Sequence, residues 1–206
     1  MAEHLETHQW HERSGCGGHS LRRIFAEDLA MNKDIIMREE LQRIIRKLKN
    51  KRAPGSDAIP PEIWKAISQD MNAIDIFLHL CNQCWVSRKI PTSWHKASVV
   101  TLFKKGNAAD MNNYRPISLL QISYKVFAAL ILQRLKDAGA ESRIWHTQYG
   151  FRSGRGTDDA LFMIRKIIDR AIASKNEELI ILALDWAKAF DSISPESLYL
   201  VLRRFG

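Results

Sequence analysis

Apolar residues recur at intervals of three and four along most of the chain, which is the period of an amphipathic α-helix. A first helix begins near Asp34, and its apolar face carries Leu41, Ile44, Ile45 and Leu48. The same period predicts helices over residues 61–69, 72–87, 123–138 and 157–174. A last helix is predicted to start at Pro195, with the preceding residue Ser194 as its N-cap.

Three stretches have the composition of β-strands rather than helices. Residues 97–103 are β-branched and aromatic, and residues 114–120 follow a polar stretch that contains Gly106. Together they predict a β-hairpin with basic residues near its tip. Residues 179–184 form a continuous apolar run, which predicts a strand buried on both faces.

The polar and small residues predict where these elements stop. Residues 1–33 are polar and rich in histidine, which indicates a poorly ordered leader, and Pro and Gly make residues 51–60 a loop. Thr157 is the predicted N-cap of its helix, with Asp158 and Asp159 in the first turn near the positive end of the helix dipole.

The composition narrows the class of protein without choosing a function. The 206 residues are 46% hydrophobic, enough for one domain or two small lobes, and the net charge of +8 favours polyanionic partners. The longest apolar run, residues 126–132, is far shorter than the ~20 residues of a membrane span. We expect no membrane partner and an intracellular, reduced protein of the nucleus or cytoplasm, since the three cysteines do not suggest a disulfide scaffold.

Several smaller features have ordinary explanations. Cys81 and Cys84 are a single C-x-x-C pair in an apolar helical pattern, which indicates buried cysteines rather than a zinc site. The first helix carries basic residues opposite its apolar face, which either form a solvated face or face RNA: Arg38, Arg43, Lys47 and Lys49. A metal site in the leader would lack ordered flanks; its candidate ligands are His4, His8, His11, Cys16 and His19.

The sharpest chemical feature is Asp185, which follows the apolar run 179–184. A carboxylate at the end of a buried strand needs a compensating partner, and a divalent metal prefers such oxygen ligands. Phosphoryl-transfer enzymes use metal ions in this way. The alternative is an aspartate that caps a turn, as Asp191 does in the sequence Asp191 to Pro195.

Two cations flank the predicted hairpin turn. Lys104 follows the first strand and Arg115 begins the second. Lysine as a point charge and arginine as a bidentate fork could hold the phosphates of a nucleoside triphosphate. An exposed basic hairpin with no ligand explains the same spacing equally well.

Six sequence blocks, taken together and in order, resemble the reverse transcriptases of non-LTR (LINE-type) retrotransposons and, more distantly, those of group II introns. The resemblance covers residues 36–206. The blocks are Ala53-Pro54-Gly55-Ser56-Asp57, Pro91-Thr92-Ser93-Trp94, Lys104-Lys105-Gly106, Asn113-Tyr114-Arg115-Pro116-Ile117-Ser118, Gln148-Tyr149-Gly150-Phe151-Arg152 and Asp185-Trp186-Ala187-Lys188-Ala189-Phe190-Asp191.

The resemblance implies an α+β fold of a right-hand polymerase. Residues 34–176 would be helix-rich fingers that include the β-hairpin, and residues 177–206 would be the first strand and helix of an incomplete palm. The implied activity is RNA-directed DNA polymerisation with Mg²⁺. The implied partners are an RNA template, a DNA primer and deoxynucleoside triphosphates.

The resemblance also implies roles for individual residues. Asp185 matches the first catalytic, metal-binding aspartate, and the backbone carbonyl of Trp186 would be a second ligand. Phe190 matches the bulky residue that excludes a 2′-hydroxyl. The remaining matches belong to the nucleotide-binding set: Lys104 or Lys105, Arg115, Gln148 and Arg152.

Two departures from the family pattern affect these expectations. Ala58 lies in the loop of residues 51–60, which we call the early loop, at a position where the family usually has glycine. Alanine costs about 1 kcal/mol there if φ is positive. The Ala-Asp-Asp hairpin is absent, and Asp158-Asp159 precedes a helix and does not replace it. We therefore expect a truncated fragment that is inactive alone. The alternatives are a catalytically dead RNA-binding remnant and an RNA-dependent RNA polymerase, against which Phe190 argues.

Overall fold

The structure of the protein is a computed structural model, which describes residues 27–174, 178–186, 189–190 and 192–205. The chain divides into two compact units: a larger one, Leu29–Ile181, and another that contains residues 182–206. None of the described helices is both long and apolar enough to cross a membrane.

Four helices build the core of the larger unit. They are α1 (Arg38–Arg46), α2 (Pro61–Ile67), α3 (Met71–Ser87) and α4 (Ile122–Asp137). Helix α1 packs against the other three, and α2 also contacts α3 and α4. The sequence favours these helices because their apolar residues fall on one side, as Leu41, Ile44 and Ile45 do in α1, where all three are buried.

Aromatic residues fill the space between the helices. Trp64 of α2 packs against Phe77 of α3, with ring centroids 4.6 Å apart. Trp94 lies in a short 3-10 helix, Thr92–His95, and packs against Phe127 of α4 with ring centroids 5.6 Å apart. The predicted buried positions of Cys81 and Cys84 in α3 are confirmed, and burial raises the pKa of the Cys81 thiol to about 12. Both sulfurs therefore serve as small core groups.

A buried arginine connects α4 to the segment that precedes α1. Arg134 is 3% exposed and donates from Nε and Nη2 to the Glu40 carboxylate at 2.7 and 2.8 Å. Its guanidinium also donates to the backbone carbonyls of Asn32, Asp34 and Ile35 at 3.2, 2.7 and 3.2 Å. One side chain therefore satisfies three carbonyls of a segment without regular secondary structure.

Helix α3 also holds this segment. The Asn82 amide exchanges two hydrogen bonds with the backbone of Ile36, and Trp85 Nε1 donates to the carbonyl of Lys33 at 3.1 Å. Residues 29–33, assigned above to the leader, thus lie in the larger unit. Leader residues 1–26, including the histidine and cysteine group, lie outside the described residues, as do Ala187, Lys188 and Asp191.

The predicted hairpin is present. Strands β1 (Ser98–Phe103) and β2 (Tyr114–Leu119) pair antiparallel, and their turn contains a 3-10 helix, Met111–Asn113. Another 3-10 helix, Ala140–Arg143, follows α4, and α5 (Thr157–Ala173) and α6 (Pro195–Phe205) come later in the chain. Helices and a two-stranded sheet make the fold α+β, as predicted.

Two local predictions were wrong. The described residues 178–186 contain no strand, and Ile180 and Leu182 are largely exposed, so the predicted buried strand 179–184 is not formed. A strand needs a neighbour for its backbone groups, and β1 and β2 form the only sheet in the described part of the chain. The second wrong prediction is Thr157 as N-cap. Thr157 is the first residue of α5 and Gly156 is the N-cap, whose backbone N–H donates to Asp159 Oδ2 at 2.7 Å.

Candidate functional site

The register of the hairpin decides which of its basic residues share a face. Leu102 lies directly opposite Arg115, and the pairing continues one step further, since the Lys104 N–H donates to the Asn113 carbonyl at 2.8 Å. Directly opposite residues share a face, and residues two apart along a strand return to it. Lys104 and Arg115 are therefore diagonal neighbours on one face, with Cβ atoms about 7–8 Å apart or slightly less.

Lys105 occupies a different position from Lys104. It follows the last paired residue and lies in the bend before Gly106, which has a φ of +96°. The register that aligns Lys104 with Arg115 does not extend to Lys105. Of the two lysines that the sequence offered for phosphate binding, the structure therefore brings Lys104 together with Arg115.

The hairpin tip has an ordered framework of hydrogen bonds. Asn113 Nδ2 donates to the Asn107 carbonyl at 2.9 Å, and the Tyr114 hydroxyl donates to the Ala108 carbonyl at 2.9 Å. The rings of Phe103 and Tyr114 lie 5.3 Å apart on the face opposite the two cations. These contacts hold the ends of both strands, and with them the backbone positions of Lys104 and Arg115.

Both cations are available to a ligand. Their residues are exposed, and within the described residues neither side chain forms a hydrogen bond or an ion pair. Other cations of the larger unit do have acidic partners, as Arg38 has in Asp75 at 2.7 Å. Two free cations on one face give the hairpin a local site for an anion with more than one negative group.

The early loop lies against the base of the hairpin. A Cβ added to Gly55 would come within 2.5 Å of the Gln121 backbone nitrogen and 2.6 Å of the Leu120 carbonyl carbon. Only glycine allows this approach, because both obstacles are backbone atoms. Gly55 therefore lets the loop lie against the junction between β2, which carries Arg115, and α4.

The block from Gln148 to Arg152 forms a compact loop that is stabilised by its own side chains. Gln148 Nε2 donates to the Gly150 carbonyl at 3.1 Å, and Arg152 Nη1 donates to the Trp145 carbonyl at 2.9 Å. The Arg155 guanidinium donates to the His146 carbonyl and lies over the Tyr149 ring at 5.4 Å. Both predicted nucleotide-binding residues of this block therefore have a local structural role.

Phe151 in the same loop has an unusual backbone. Its φ is +59°, while Gly150 before it is not in the left-handed region. A left-handed aromatic residue is strained, and such residues are concentrated at functional sites. The glycine of this block is thus not the residue that adopts the left-handed turn.

The residues that the resemblance placed at the metal site lie in the other unit. Asp185 is exposed, and Trp186 and Phe190 are each 77% exposed. The described part of the chain contains no cluster of three or more acidic, histidine or cysteine residues that could hold a metal ion. Within the described residues, Asp185 therefore belongs to no such cluster.

The family model that describes reverse transcriptase (RNA-dependent DNA polymerase) matches residues 102–206, slightly more than half of the chain. The chain belongs to the reverse transcriptase family. The match begins in β1 and includes Lys104, Arg115, Gln148, Arg152, Asp185, Trp186 and Phe190.

Named relatives of this reverse transcriptase segment extend the similarity toward its N-terminus. It is 30% identical over 183 residues to the RNA-directed DNA polymerase from mobile element jockey of Drosophila melanogaster, which is 81% of this chain and 19% of the relative. It is 31% identical over 157 residues to the probable RNA-directed DNA polymerase from transposon BS of the same species, which is 75% of this chain and 17% of the relative.

A relative from a vertebrate has a similar degree of identity to this chain. The Transposon TX1 uncharacterized 149 kDa protein of Xenopus laevis is 29% identical over 173 residues, which is 82% of this chain and 12% of the relative. The segment therefore spans less than a fifth of the length of these three relatives. The predicted resemblance to reverse transcriptases of non-LTR retrotransposons is confirmed.

Sequence reasoning about this reverse transcriptase segment missed Arg134. Its place on the buried face of α4 could have been predicted, because residues 126, 130 and 134 are four apart and share one side of a helix. Val126 and Leu130 on that side are fully buried. An arginine on the apolar stripe of a helix needs a buried acidic partner. Glu40 is that partner, and its distance of 94 residues along the chain hid it.

Proposed function

We propose that the chain forms the fingers and the start of the palm of an RNA-directed DNA polymerase encoded by a non-LTR retrotransposon. The family match and the names of the relatives support this activity. The right-hand polymerase architecture is part of the proposal. The RNA template, DNA primer and deoxynucleoside triphosphates are the substrates that this activity requires.

The observation that carries the proposal is the shared face of Lys104 and Arg115. A triphosphate has adjacent negative groups, so two cations at neighbouring positions of one hairpin can contact it together. Lys104 would act as a point charge, and the Arg115 guanidinium would bind two oxygens. Holding the triphosphate in one place orients the reacting phosphorus for attack by the primer hydroxyl.

The donors at Asp185 fit Mg²⁺ in kind but are few in number. The Asp185 carboxylate and the Trp186 carbonyl are hard oxygen ligands, which this ion prefers. In the proposed function they would hold it, and the bound ion would neutralise charge on the phosphates. Two protein ligands leave most of the coordination sphere to substrate and water, so these residues alone are an incomplete site.

Three further residues have proposed roles in nucleotide selection and positioning. The Phe190 ring would lie against the sugar of the incoming nucleotide and exclude a 2′-hydroxyl by steric contact. Gln148 and Arg152 would act through the shape of their loop, which their side chains stabilise. These roles rest on the family pattern and on the match that includes all three positions.

The test compares cations that differ in position on the hairpin. Lys104→Ala and Arg115→Ala should each weaken binding of a deoxynucleoside triphosphate by at least about tenfold, because each removes a charged contact of roughly 1.5–3 kcal/mol. Lys105→Ala is the matched control and should change the affinity less than twofold. Isothermal titration calorimetry of the 206-residue chain with dTTP and Mg²⁺ measures all three.

Two outcomes would contradict the proposal. Equal losses in Lys104→Ala and Lys105→Ala would show that net charge, rather than the shared face, determines binding. Unchanged affinity in both Lys104→Ala and Arg115→Ala would place the triphosphate elsewhere. Thermal unfolding of each variant shows whether its fold is retained.

A further inference from the structure

Asn113 connects the end of the hairpin loop, residues 104–113, to the residue at its start. Its backbone carbonyl accepts a hydrogen bond from the Lys104 N–H at 2.8 Å, and its backbone N–H donates to the Asp110 carbonyl at 3.0 Å. Its side-chain Nδ2 donates to the Asn107 carbonyl at 2.9 Å. Since Arg115 follows two residues later, Asn113 joins the backbone at Lys104 to the strand that carries Arg115.

The Asn113 carboxamide also packs against the bend that follows Lys104 and Lys105. A Cβ added to Gly106 would lie 3.0 Å from Asn113 Nδ2 and 3.3 Å from its Cγ, inside the usual contact distance of about 3.5–4.0 Å between carbon atoms. The bend therefore fits closely around the carboxamide, and a displacement of one would displace the other.

Hydrogen bonds determine the shape of this loop because burial does not. Residues 104–112 are exposed, and Asn113 is half-buried. In such loops polar side chains hold the backbone through local hydrogen bonds. The Ala109 N–H donates to Asn107 Oδ1 at 3.0 Å, which orders the far end of the loop. The Asn113 side chain connects that far end to the strands.

We propose that Asn113 is a positioning residue of the nucleotide site, which fixes Lys104 where it can contact a triphosphate together with Arg115. The inference rests on the proposed function. Lysine carries its charge on a long flexible side chain, so the position of its backbone decides which phosphate oxygens the ammonium group can reach. Loss of the Asn113 carboxamide would keep the Lys104 charge but not its fixed backbone position, and the contact would weaken.

The test compares two neighbouring asparagines of the loop. Asn113→Ala removes the bond to the Asn107 carbonyl, and the matched control Asn112→Ala removes the bond from Asn112 Nδ2 to Asp110 Oδ1 at 3.0 Å. Isothermal titration calorimetry of the 206-residue chain with dTTP and Mg²⁺ measures both. Asn113→Ala should weaken binding by about fivefold, the effect of one hydrogen bond, and Asn112→Ala by less than about twofold.

A double-mutant cycle shows whether Asn113 acts through Lys104. In a chain that already carries Lys104→Ala, adding Asn113→Ala should weaken dTTP binding by less than about twofold, because the lysine that it positions is gone. In a chain that carries Lys105→Ala, adding Asn113→Ala should still weaken binding by about fivefold. A role in folding, or in direct contact with the nucleotide, would give the same loss in both backgrounds.

The dependence of binding on salt is a second readout, which a purely structural role would not change. Salt weakens contacts between charged groups, so Lys104→Ala should make the decrease of dTTP affinity with KCl concentration shallower. Asn113→Ala should also make it shallower, although this substitution leaves the net charge at +8. Thermal unfolding of each variant shows whether its fold is retained.

Equal losses from Asn113→Ala with and without Lys104 would overturn the inference, as would an Asn113→Ala chain with wild-type affinity for dTTP. Equal losses in Asn113→Ala and Asn112→Ala would also overturn it, because a general loosening of the loop would then explain the loss. Failure of the proposed function gives a different result: Lys104→Ala and Arg115→Ala would both bind dTTP with unchanged affinity, and the inference would fail with it.

Discussion

At the scale of single residues, the early loop contains both a required glycine and a strained alanine. Gly55 admits no side chain beside the Gln121 backbone. Ala58, three residues later, has a φ of +57°, in the region that glycine occupies without cost. The sequence predicted a cost at Ala58 on the condition that φ was positive, and the structure meets that condition.

Ala58→Gly should therefore stabilise the protein. Relief of left-handed strain is worth about 1–2 kcal/mol, and the extra freedom of glycine in the unfolded chain cancels about 0.4–1 kcal/mol of it. We expect a net gain of roughly 0.5–1 kcal/mol in the free energy of unfolding, measured by urea denaturation.

The opposite substitution in the same loop is the matched control. Gly55→Ala should lower the free energy of unfolding by roughly 1–3 kcal/mol, because backbone atoms must move to admit the methyl group. If Ala58→Gly destabilised the protein as much as Gly55→Ala, the strain at Ala58 would not be real.

At the scale of elements, amphipathic patterns predicted the helices and the hairpin well. The predicted helix 123–138 is observed as Ile122–Asp137, and the predicted strand 97–103 as Ser98–Phe103. Their apolar periodicity is local, so the chain carries this information without reference to distant residues. The strand 179–184 failed because an apolar run describes burial, and burial of a strand requires a partner sheet.

The contact between Arg134 and Glu40 was not visible at this scale either, although it holds α4 to the start of α1. The Glu40 carboxylate accepts two hydrogen bonds from Arg134, which chiefly lower its pKa below the ordinary value of 4.5. A carboxyl group with a lowered pKa in the folded state stabilises the fold above its unfolded pKa. That contribution is lost as the pH falls through the folded-state pKa.

Glu40→Gln should make this dependence measurable. At pH 7 the variant should lose roughly 3–5 kcal/mol of unfolding free energy, because the buried Arg134 charge loses its partner. Below pH 4.5 the difference from wild type should shrink as Glu40 in the wild type becomes protonated. Urea unfolding at pH 7 and pH 3 measures both differences.

An exposed ion pair supplies the control for this experiment. Asp169→Asn breaks the pair with Arg165 on α5, whose side chains are 45% and 74% exposed. It should change the unfolding free energy by less than about 0.5 kcal/mol at either pH. A Glu40→Gln deficit that is the same at pH 3 and pH 7 would contradict the assigned role of the carboxylate.

At the scale of the whole molecule, the chain has the cations of the proposed nucleotide site but few of the carboxylates. These 206 residues contain no Ala-Asp-Asp sequence, and the described residues contain no metal-binding cluster. Two-metal phosphoryl transfer needs several oxygen ligands around both ions. We therefore expect this polypeptide to show the proposed nucleotide binding rather than catalysis.

We expect that a polypeptide of these 206 residues does not extend a DNA primer on an RNA template. Incubation with Mg²⁺, the four deoxynucleoside triphosphates and a labelled primer should give no product above a protein-free reaction. An active reverse transcriptase in the same buffer is the positive control. Mg²⁺-dependent primer extension by the purified chain would refute this prediction.

The sequence by itself determined the family and the local elements. Six ordered blocks identified the reverse transcriptase resemblance. The helical period located α1 through α5 and the capping signal at Ser194 and Pro195 located α6, because all these signals are local in the chain. It also proposed Lys104 and Arg115, but it left a ligand site and a plain basic hairpin as equal alternatives.

Only the tertiary structure decided which residues act together. Strand register brought Lys104 to the face of Arg115, packing buried Arg134 against Glu40, and a close backbone approach made Gly55 necessary. Each of these depends on atoms that are distant in sequence or on backbone angles. Periodicity and composition carry no information about either, because they record only the order and type of the side chains.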